Sequence, residues 1–377
     1  MTDHNKHAAV TSESQALGVG AGAFLLLGVA TFLLAGREPV PLAGRGSAGD
    51  IAAVGTSVLG AAAVVTGLLR RRRLEPEGPP SAGRTRRIID TAALALAHGS
   101  IFLLGWLALF SIFQQAFQGA VLYPLAAAIL VGTAGALSAY GAYLSAVSMN
   151  SYRLAAVLAV FLVTGVLTSM LTAENPLWWQ EHLSALGASS GVSGVAFNVT
   201  LIVAGAVVTT LAGYATRTLE AAAGTASARR SVGMLQGGIV LIGVLLACVG
   251  IFPVDERFGL HTAAASGMAV VFGALVVRIR NLVPGVSATF TSLGWVFLAA
   301  IVAAAVMYFP LGYYNLTAVE LIAGALVFTW LIILIRQLAA VDADRAAAGR
   351  PAGPQAQRAG TSARSAAAGT ERTATGP

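Results

Sequence analysis

Side chains capable of acid–base or metal chemistry concentrate in two connections between apolar segments in the second half of the chain. The first connection contains Glu181, His182 and Ser184, and the second contains Asp255 and ends at His261. Imidazole and carboxylate groups suit a zinc-like ion, which can activate water against a lipid or peptide substrate. These five residues are the catalytic candidates, and His182, His261 and Asp255 are the metal-ligand candidates. No other cofactor is predicted.

The same connections also fit a purely structural interpretation. Trp178 and Trp179 would then anchor the chain at the membrane interface. Asp255 would belong to a solvated turn, and His261 would cap or hydrogen-bond at the start of a helix. The spacing contains no compact ligand motif such as His-Glu-x-x-His. Both interpretations stay open at this stage.

Two further ionisable residues fall inside apolar segments. Glu320 lies about one turn from a segment end, where it could pair with Arg257, face a polar cavity or extend its carboxylate to water. His98 lies near the middle of a segment. A neutral imidazole with a hydrogen bond to a neighbouring helix is expected there, and a proton relay is the alternative. Charged groups at the bilayer centre cost roughly 3 kcal/mol on insertion scales, so such residues are functional candidates.

Several classes of function are excluded by missing motifs. The sequence contains no phosphate-binding Gly-x-x-x-x-Gly-Lys loop, no Gly-x-Ser-x-Gly elbow and no Cys-x-x-Cys pair. It also has no soluble segment long enough to form an ATP-hydrolysing domain, which argues against the common primary pumps. The net charge of +7 fits basic cytoplasmic loops rather than nucleic-acid binding.

The elements that position these residues are transmembrane helices. Of the 377 residues, 56% are hydrophobic and only 10% are charged, whereas a soluble domain carries about 25% charged residues. Blocks of roughly twenty apolar residues can cross about 30 Å of hydrocarbon as helices, and helices satisfy their own backbone groups. The sequence predicts an all-α, polytopic transmembrane bundle of about ten helices. Their expected spans are 16–35, 51–69, 88–110, 121–147, 154–171, 195–214, 232–252, 261–277, 287–309 and 316–335.

The distribution of arginines predicts that both termini are cytoplasmic. The connection between the second and third segments has arginine at positions 70–73, 84, 86 and 87. When this connection is placed inside, only Arg37, Arg45 and Arg257 of the 23 basic residues lie outside, as the positive-inside rule requires. The expected location is the cell membrane, that is, a plasma membrane.

Four parts are predicted along the chain. Residues 1–15 form a cytoplasmic N-terminal segment, 16–150 a four-helix membrane unit, and 151–336 a six-helix membrane module. Residues 337–377 are rich in Ala, Gly, Arg and Pro and form a basic cytoplasmic tail, expected to be disordered because it has too little apolar surface to bury. Spacings such as Gly205-x-x-x-Thr209 are expected to serve general helix packing.

The six-helix module carries a resemblance. Its short motifs are Asn-Pro at 175–176, Ser-Ala-Leu-Gly at 184–187, Phe-Asn at 197–198, Gly-Ile-Phe-Pro at 250–253, and then Asp255 and His261. In order and spacing, residues 152–336 resemble domain-of-unknown-function family 998, a group of multi-pass prokaryotic membrane proteins. That resemblance implies a membrane location and no particular activity. The family pattern has an acidic residue where this chain has Ala185, which argues against assigning catalysis to that motif.

Three classes of function follow from these observations. The favoured hypothesis is a membrane protein that organises lipid or partner proteins. The first alternative is a membrane-embedded, metal-dependent hydrolase or lipid-modifying enzyme that uses the outer-face His, Asp and Glu side chains. The second is a secondary transporter with His98 and Glu320 as its ionisable positions. The lipid bilayer is the expected partner in every case, with other membrane proteins possible and nucleic acid excluded.

Overall fold

The fold is a bundle of long apolar helices. A computed structural model of the chain describes residues 3–74 and 84–348. Within these residues, ten helices are long and apolar enough to cross a membrane, which confirms the expected bundle and makes this a multi-pass membrane protein. Large apolar side chains face outward along them; Leu33 and Leu34, for example, are each 72% exposed. Such surfaces fit contact with lipid, because water-soluble proteins rarely expose large contiguous apolar patches.

Eleven α-helices, one 3-10 helix and two short strands make up the described chain. In order they are α1 (Asp3–Ala35), β1 (Val40–Pro41), α2 (Ala48–Leu74), α3 (Arg84–Ala116), β2 (Val121–Leu122), α4 (Pro124–Val147), α5 (Ser151–Leu171), the 3-10 helix (Trp178–Gln180), α6 (Ala185–Ala188), α7 (Val192–Ala222), α8 (Ala226–Ile251), α9 (Phe258–Leu282), α10 (Ala288–Tyr308) and α11 (Leu316–Ala348). Every α-helix except the four-residue α6 is one of the ten candidate spans.

Two predicted boundaries differ from the structure for identifiable reasons. The fourth helix begins at Pro124 rather than at 121, because Val121 and Leu122 pair with the strand Val40–Pro41. Proline suits the first helical position, where a missing N–H costs nothing. The eighth predicted segment, expected to be the shortest, is the 25-residue α9. It begins at Phe258 and ends at Leu282, beyond the apolar stretch at both ends, and its last turn includes Arg280.

Both predicted terminal segments are partly helical. Helix α1 begins at Asp3, so most of the N-terminal segment 1–15 belongs to it. Helix α11 continues to Ala348, so the prediction of disorder is wrong for residues 337–348. This stretch contains alanine and leucine, which favour helix once a preceding turn exists. Positions 1–2, 75–83 and 349–377 lie outside the described residues, and with them most of the predicted tail.

Close packing holds neighbouring helices together. Helices α1 and α2 pack on α4, and α2 also packs on α3. In the second half α7 packs on α5 and α8, α8 on α9, and α11 on α5 and α10. Helix α3 also packs on α5 and α7, and one hydrophobic core runs from Ala16 to Leu338 across both halves. Gly205 and Gly243 let α7 and α8 approach closely, since a Cβ on Gly243 would lie 2.7 Å from the Gly205 carbonyl oxygen. Small residues therefore serve packing, as expected.

The connections between helices lie at two opposite ends of the bundle, as the contacts between them show. At the strand end, which holds β1 and β2, the Asn315 side chain donates to the Trp179 carbonyl at 2.8 Å. At the opposite end, the arginine end, Arg72 donates to Thr91 at 2.7 Å and Arg336 stacks over the ring of Tyr152. Successive long helices thus run in opposite directions, as a bundle with short connections requires.

Candidate functional site

A buried polar cluster at the strand end joins three distant parts of the sequence. The hydroxyl of Ser184 lies 3.0 Å from Nε2 of His261. Glu320 approaches the same serine with both carboxylate oxygens: Oε2 accepts the Ser184 backbone N–H at 3.2 Å, and Oε1 lies 3.3 Å from the hydroxyl. Ser184 and His261 are buried and Glu320 is half-buried. We call these three residues the His–Ser–Glu cluster.

The connection between α5 and α7 places Ser184. The Asn175 side chain accepts the Leu177 N–H at 2.9 Å and so forms a turn that leads into the 3-10 helix. Ser184 directly precedes the short helix α6, and its neighbour Leu186 is buried in the core. The connection is thus folded against the bundle by its own turns and by Leu186, with Trp178 and Leu183 packed against the same core.

His261 sits in the first turn of α9 with both ring nitrogens engaged. Its Nδ1 lies 2.8 Å from the carbonyl oxygen of Phe252, the residue that directly follows α8. A carbonyl can only accept, so Nδ1 carries a proton and donates it. In the neutral ring, Nε2 is then an acceptor aimed at Ser184. The predicted hydrogen bond at the start of a helix is therefore present, and it closes the turn between α8 and α9.

Glu320 is held by the beginning of α11. Asn315, just before this helix, accepts the Ala318 N–H at 3.0 Å and donates to the Trp179 carbonyl at 2.8 Å. These two bonds cap the helix and tie it to the connection that contains Ser184. Among the described residues, no ion pair joins Glu320 to Arg257, which is exposed. The pairing with Arg257 considered from the sequence is not formed there.

Helix α7 packs against the stretch that contains Ser184. The side-chain amide of Asn198 donates to the Gly187 carbonyl at 2.8 Å and so fixes the end of the Ser-Ala-Leu-Gly stretch. Side chains larger than hydrogen do not fit at two nearby glycines. A Cβ on Gly187 would lie 2.6 Å from the Asn198 amide oxygen, and one on Gly250 would lie 2.6 Å from the Asn198 carbonyl. The short motifs around positions 184–187, 197–198 and 250–253 are therefore neighbours in space.

The structure brings together only part of the predicted site. Ser184 and His261 meet, whereas Glu181 and Asp255 are exposed and contribute no bond to the cluster among the described residues. His182 is half-buried, and its Nδ1 is buried without a hydrogen-bond partner among the described residues. No group of three or more His, Cys, Asp or Glu side chains that could hold a metal occurs in residues 3–74 and 84–348.

Sequence reasoning did not include Glu320 in this site. The sequence did mark Glu320 as a functional candidate, because it is an ionisable residue inside an apolar segment. What the sequence lacked was any indication that α11 begins beside the α5–α7 connection. The contact between His261 and the Phe252 carbonyl could not be predicted either, since a backbone acceptor has no sequence signature.

A second histidine–serine pair lies elsewhere in the bundle. Nδ1 of His98 in α3 lies 2.9 Å from the Leu94 carbonyl, one turn earlier, and Nε2 lies 3.0 Å from the hydroxyl of Ser145 in α4. The expected hydrogen bond to a neighbouring helix is therefore found. His98 is buried and its partners are both neutral. It joins α3 to α4 in a part of the bundle separate from the His–Ser–Glu cluster.

Comparisons with known proteins found no match for this chain. No family model, no curated protein and no solved structure matches it. The resemblance of residues 152–336 to domain-of-unknown-function family 998 is thus neither supported nor contradicted. The described residues are those of a multi-pass membrane protein, with ten helices long and apolar enough to span a membrane.

Proposed function

We propose that this chain is a membrane-embedded hydrolase or acyl-transfer enzyme, with Ser184 as nucleophile and His261 as general base. One observation carries the proposal: the Ser184 hydroxyl lies 3.0 Å from Nε2 of His261, while Nδ1 is held by the Phe252 carbonyl. This is the arrangement of nucleophile, base and orienting acceptor that activates a serine. Its place at one end of an apolar bundle favours an ester or amide of a lipid as substrate.

The proposed reaction proceeds through an acyl-enzyme. The Ser184 oxygen attacks the substrate carbonyl carbon while His261 Nε2 takes the hydroxyl proton. The tetrahedral intermediate then collapses, and the departing alcohol or amine receives that proton from His261. Water attacks the acyl-serine in a second step, again giving its proton to Nε2, and the acid leaves as Ser184 regains its hydrogen. An acceptor alcohol in place of water would give acyl transfer.

This proposal differs from the metal-dependent hydrolase that the sequence suggested as an alternative. Both ring nitrogens of His261 already contact protein atoms, so a metal would have to displace Phe252 or Ser184. Serine catalysis uses these contacts as they stand. The metal-dependent hydrolase remains a separate hypothesis, which the metal content of the purified protein distinguishes.

A serine-directed fluorophosphonate probe tests the proposal without knowledge of the substrate. The purified full-length protein in lipid nanodiscs is expected to be labelled at Ser184, with the modified peptide identified by mass spectrometry. Labelling should disappear in Ser184→Ala and fall at least tenfold in His261→Gln. A matched control is Ser138→Ala, which removes another buried serine hydroxyl, bonded to the Trp106 indole at 3.0 Å.

Two results would overturn the proposal. One is a folded wild-type protein that resists the probe at concentrations that label a reference serine hydrolase. The other is labelling that persists in Ser184→Ala. Because His261→Gln could disturb the α8–α9 turn, retention of the wild-type elution profile and thermal transition is required of each variant before its labelling is compared.

The organising role favoured by the sequence is the second candidate. It is supported by the broad exposed apolar faces of the helices, which suit contact with lipid or with apolar partners. Photo-crosslinking from exposed positions such as Leu33 in intact cells distinguishes the two. A defined protein partner together with no probe labelling favours organisation. The remaining hypothesis is a secondary transporter whose ionisable positions are His98 and Glu320. It would be tested by measuring pH-dependent uptake in reconstituted vesicles.

A further inference from the structure

The His–Ser–Glu cluster contains more hydrogen-bond acceptors than donors. Nδ1 of His261 donates to the Phe252 carbonyl, so a neutral ring offers only an acceptor at Nε2. An ionised Glu320 also offers only acceptors. The Ser184 hydroxyl lies between them, 3.0 Å from Nε2 and 3.3 Å from Oε1, and has a single proton to donate. With a neutral histidine and an ionised glutamate, one of these contacts would oppose two lone pairs.

His98 and Ser145 show the balanced version of the same arrangement. Nδ1 of His98 likewise lies on a carbonyl, at 2.9 Å, and Nε2 lies 3.0 Å from a serine hydroxyl. No carboxylate belongs to this pair in the bonds that the described residues form. One serine proton therefore satisfies the neutral imidazole completely. At Ser184, by contrast, Glu320 approaches the same hydroxyl.

We propose that His261, Ser184 and Glu320 together hold one proton more than a neutral imidazole, a hydroxyl and a carboxylate would carry. The proton has two positions. On His261, the ring donates to Ser184 and Ser184 donates to the carboxylate. On Glu320, the carboxylic acid donates to Ser184 and Ser184 donates to Nε2. Moving from one form to the other shifts one proton along each of the two hydrogen bonds through the serine hydroxyl.

This inference deepens the proposed function and rests on the same cluster. In the form with the proton on Glu320, the Ser184 hydroxyl donates to a free Nε2, which is the state that nucleophilic attack requires. Glu320 is then a carboxylic acid beside the reacting oxygen and can donate a hydrogen bond to negative charge that develops on the substrate. The structure thus assigns Glu320 as the acid of the site, with Ser184 as nucleophile and His261 as base.

The ionisable groups on the elements around the cluster form no bond with it in the part of the chain that the structure describes. On the α5–α7 connection these are Glu174 and Glu181, both exposed, and the half-buried His182. On the turn before α9 they are Asp255, Glu256 and Arg257, all exposed. Asn198 is the polar side chain that α7 presents, and it is neutral and bonded to Gly187. The shared proton is therefore assigned to the three cluster residues.

Vibrational and magnetic resonance spectra of the full-length protein in nanodiscs test the inference at neutral pH. A carboxylic-acid C=O band that is lost in Glu320→Gln reports a proton on Glu320. The nitrogen-15 histidine signals, assigned with His261→Gln, report a proton on both ring nitrogens of His261. We expect the two occupancies to add up to one proton per molecule, and His98 to stay neutral under the same conditions.

The substitutions give sharp outcomes. Ser184→Ala removes the bridge, and the shared proton should be lost, whereas Ser145→Ala should leave it in place. An ionised Glu320 beside a neutral His261 in the wild-type protein would refute the inference, and so would a proton that survives in a folded Ser184→Ala. These spectra need no substrate or probe. A shared proton without fluorophosphonate labelling refutes only the enzyme proposal, and labelling without a shared proton refutes only this one.

Discussion

Glu320 binds Ser184 through both oxygens of its carboxylate, one at the backbone N–H and one facing the hydroxyl. The contact spans 136 positions in the sequence and joins the beginning of α11 to the connection between α5 and α7. A polar contact of this kind fixes the serine backbone from outside its own connection. It also makes the stability of that connection dependent on a residue of α11.

Replacement of Glu320 tests this dependence. Glu320→Ala leaves the Ser184 N–H without its acceptor, and the expected loss of stability is about 1–3 kcal/mol, typical of an unsatisfied buried group. The glutamine variant keeps an oxygen for the N–H and should lose less. Thermal unfolding in detergent measures the change. The exposed Glu256→Ala is the control, and an equal effect of both alanine variants would refute the assignment.

Helix packing between α7 and α8 predicts opposite effects of two alanine substitutions in one helix. At Gly243 a Cβ would lie 2.5 Å from Thr209 Oγ1 and 2.7 Å from the Gly205 carbonyl oxygen, so Gly243→Ala should cost roughly 1–3 kcal/mol by overpacking. At Gly237 a Cβ meets nothing within 4 Å, so Gly237→Ala should be neutral or stabilise slightly. Thermal unfolding of the two variants, measured side by side, gives the change in stability of each. Equal destabilisation would contradict the close contact.

The pair of His98 and Ser145 predicts a modest structural role. Ser145→Ala removes one hydrogen bond between α3 and α4, and the expected cost is about 0.6–2 kcal/mol, as for other bonds between membrane helices. Thr133→Ala on the same helix is the control, because Thr133 bonds only within α4, to the Ile129 carbonyl. If His98→Gln instead abolished pH-dependent uptake in reconstituted vesicles without destabilising the fold, the transporter hypothesis would gain over this structural assignment.

The orientation predicted from the arginines can be measured with cysteine labelling. Cys248→Ser removes the only cysteine, and single cysteines are then introduced at Glu256, at the strand end, and at Ser227, at the arginine end. Both positions are exposed. A membrane-impermeant maleimide on intact cells should label Glu256→Cys, while Ser227→Cys should react only after the membrane is opened. The reverse pattern would place both termini outside.

Metal content separates the serine mechanism from the metal-dependent alternative. Under the serine mechanism, chelator treatment should leave fluorophosphonate labelling of the nanodisc protein unchanged, and His182→Ala should change it less than twofold. Elemental analysis of the purified protein gives an independent reading. Stoichiometric metal that is lost in the His182→Ala, His261→Ala double variant would instead support the metal-dependent hydrolase.

The sequence by itself determined the membrane-spanning architecture. Twenty-residue apolar blocks leave the backbone no partner except its own helix, so the number of spans and most of their central residues could be predicted. Boundaries were less well determined, because hydropathy follows the apolar stretch while a helix continues as long as its own hydrogen bonds form. Helix α11 passes Gln337 for this reason, and α4 starts late because β2 takes Val121 and Leu122.

Only the tertiary structure decided which of the candidate residues form the site. Sequence spacing placed His261 and Ser184 near the same face, and that half of the site could be predicted. It gave equal weight to Asp255 and Glu181, which the fold leaves exposed, and it kept Glu320 apart. Which charged residue reaches the serine depends on how α9 and α11 pack around the α5–α7 connection. That packing is fixed by buried side chains and by single bonds such as Asn315 to Trp179, which no local pattern encodes.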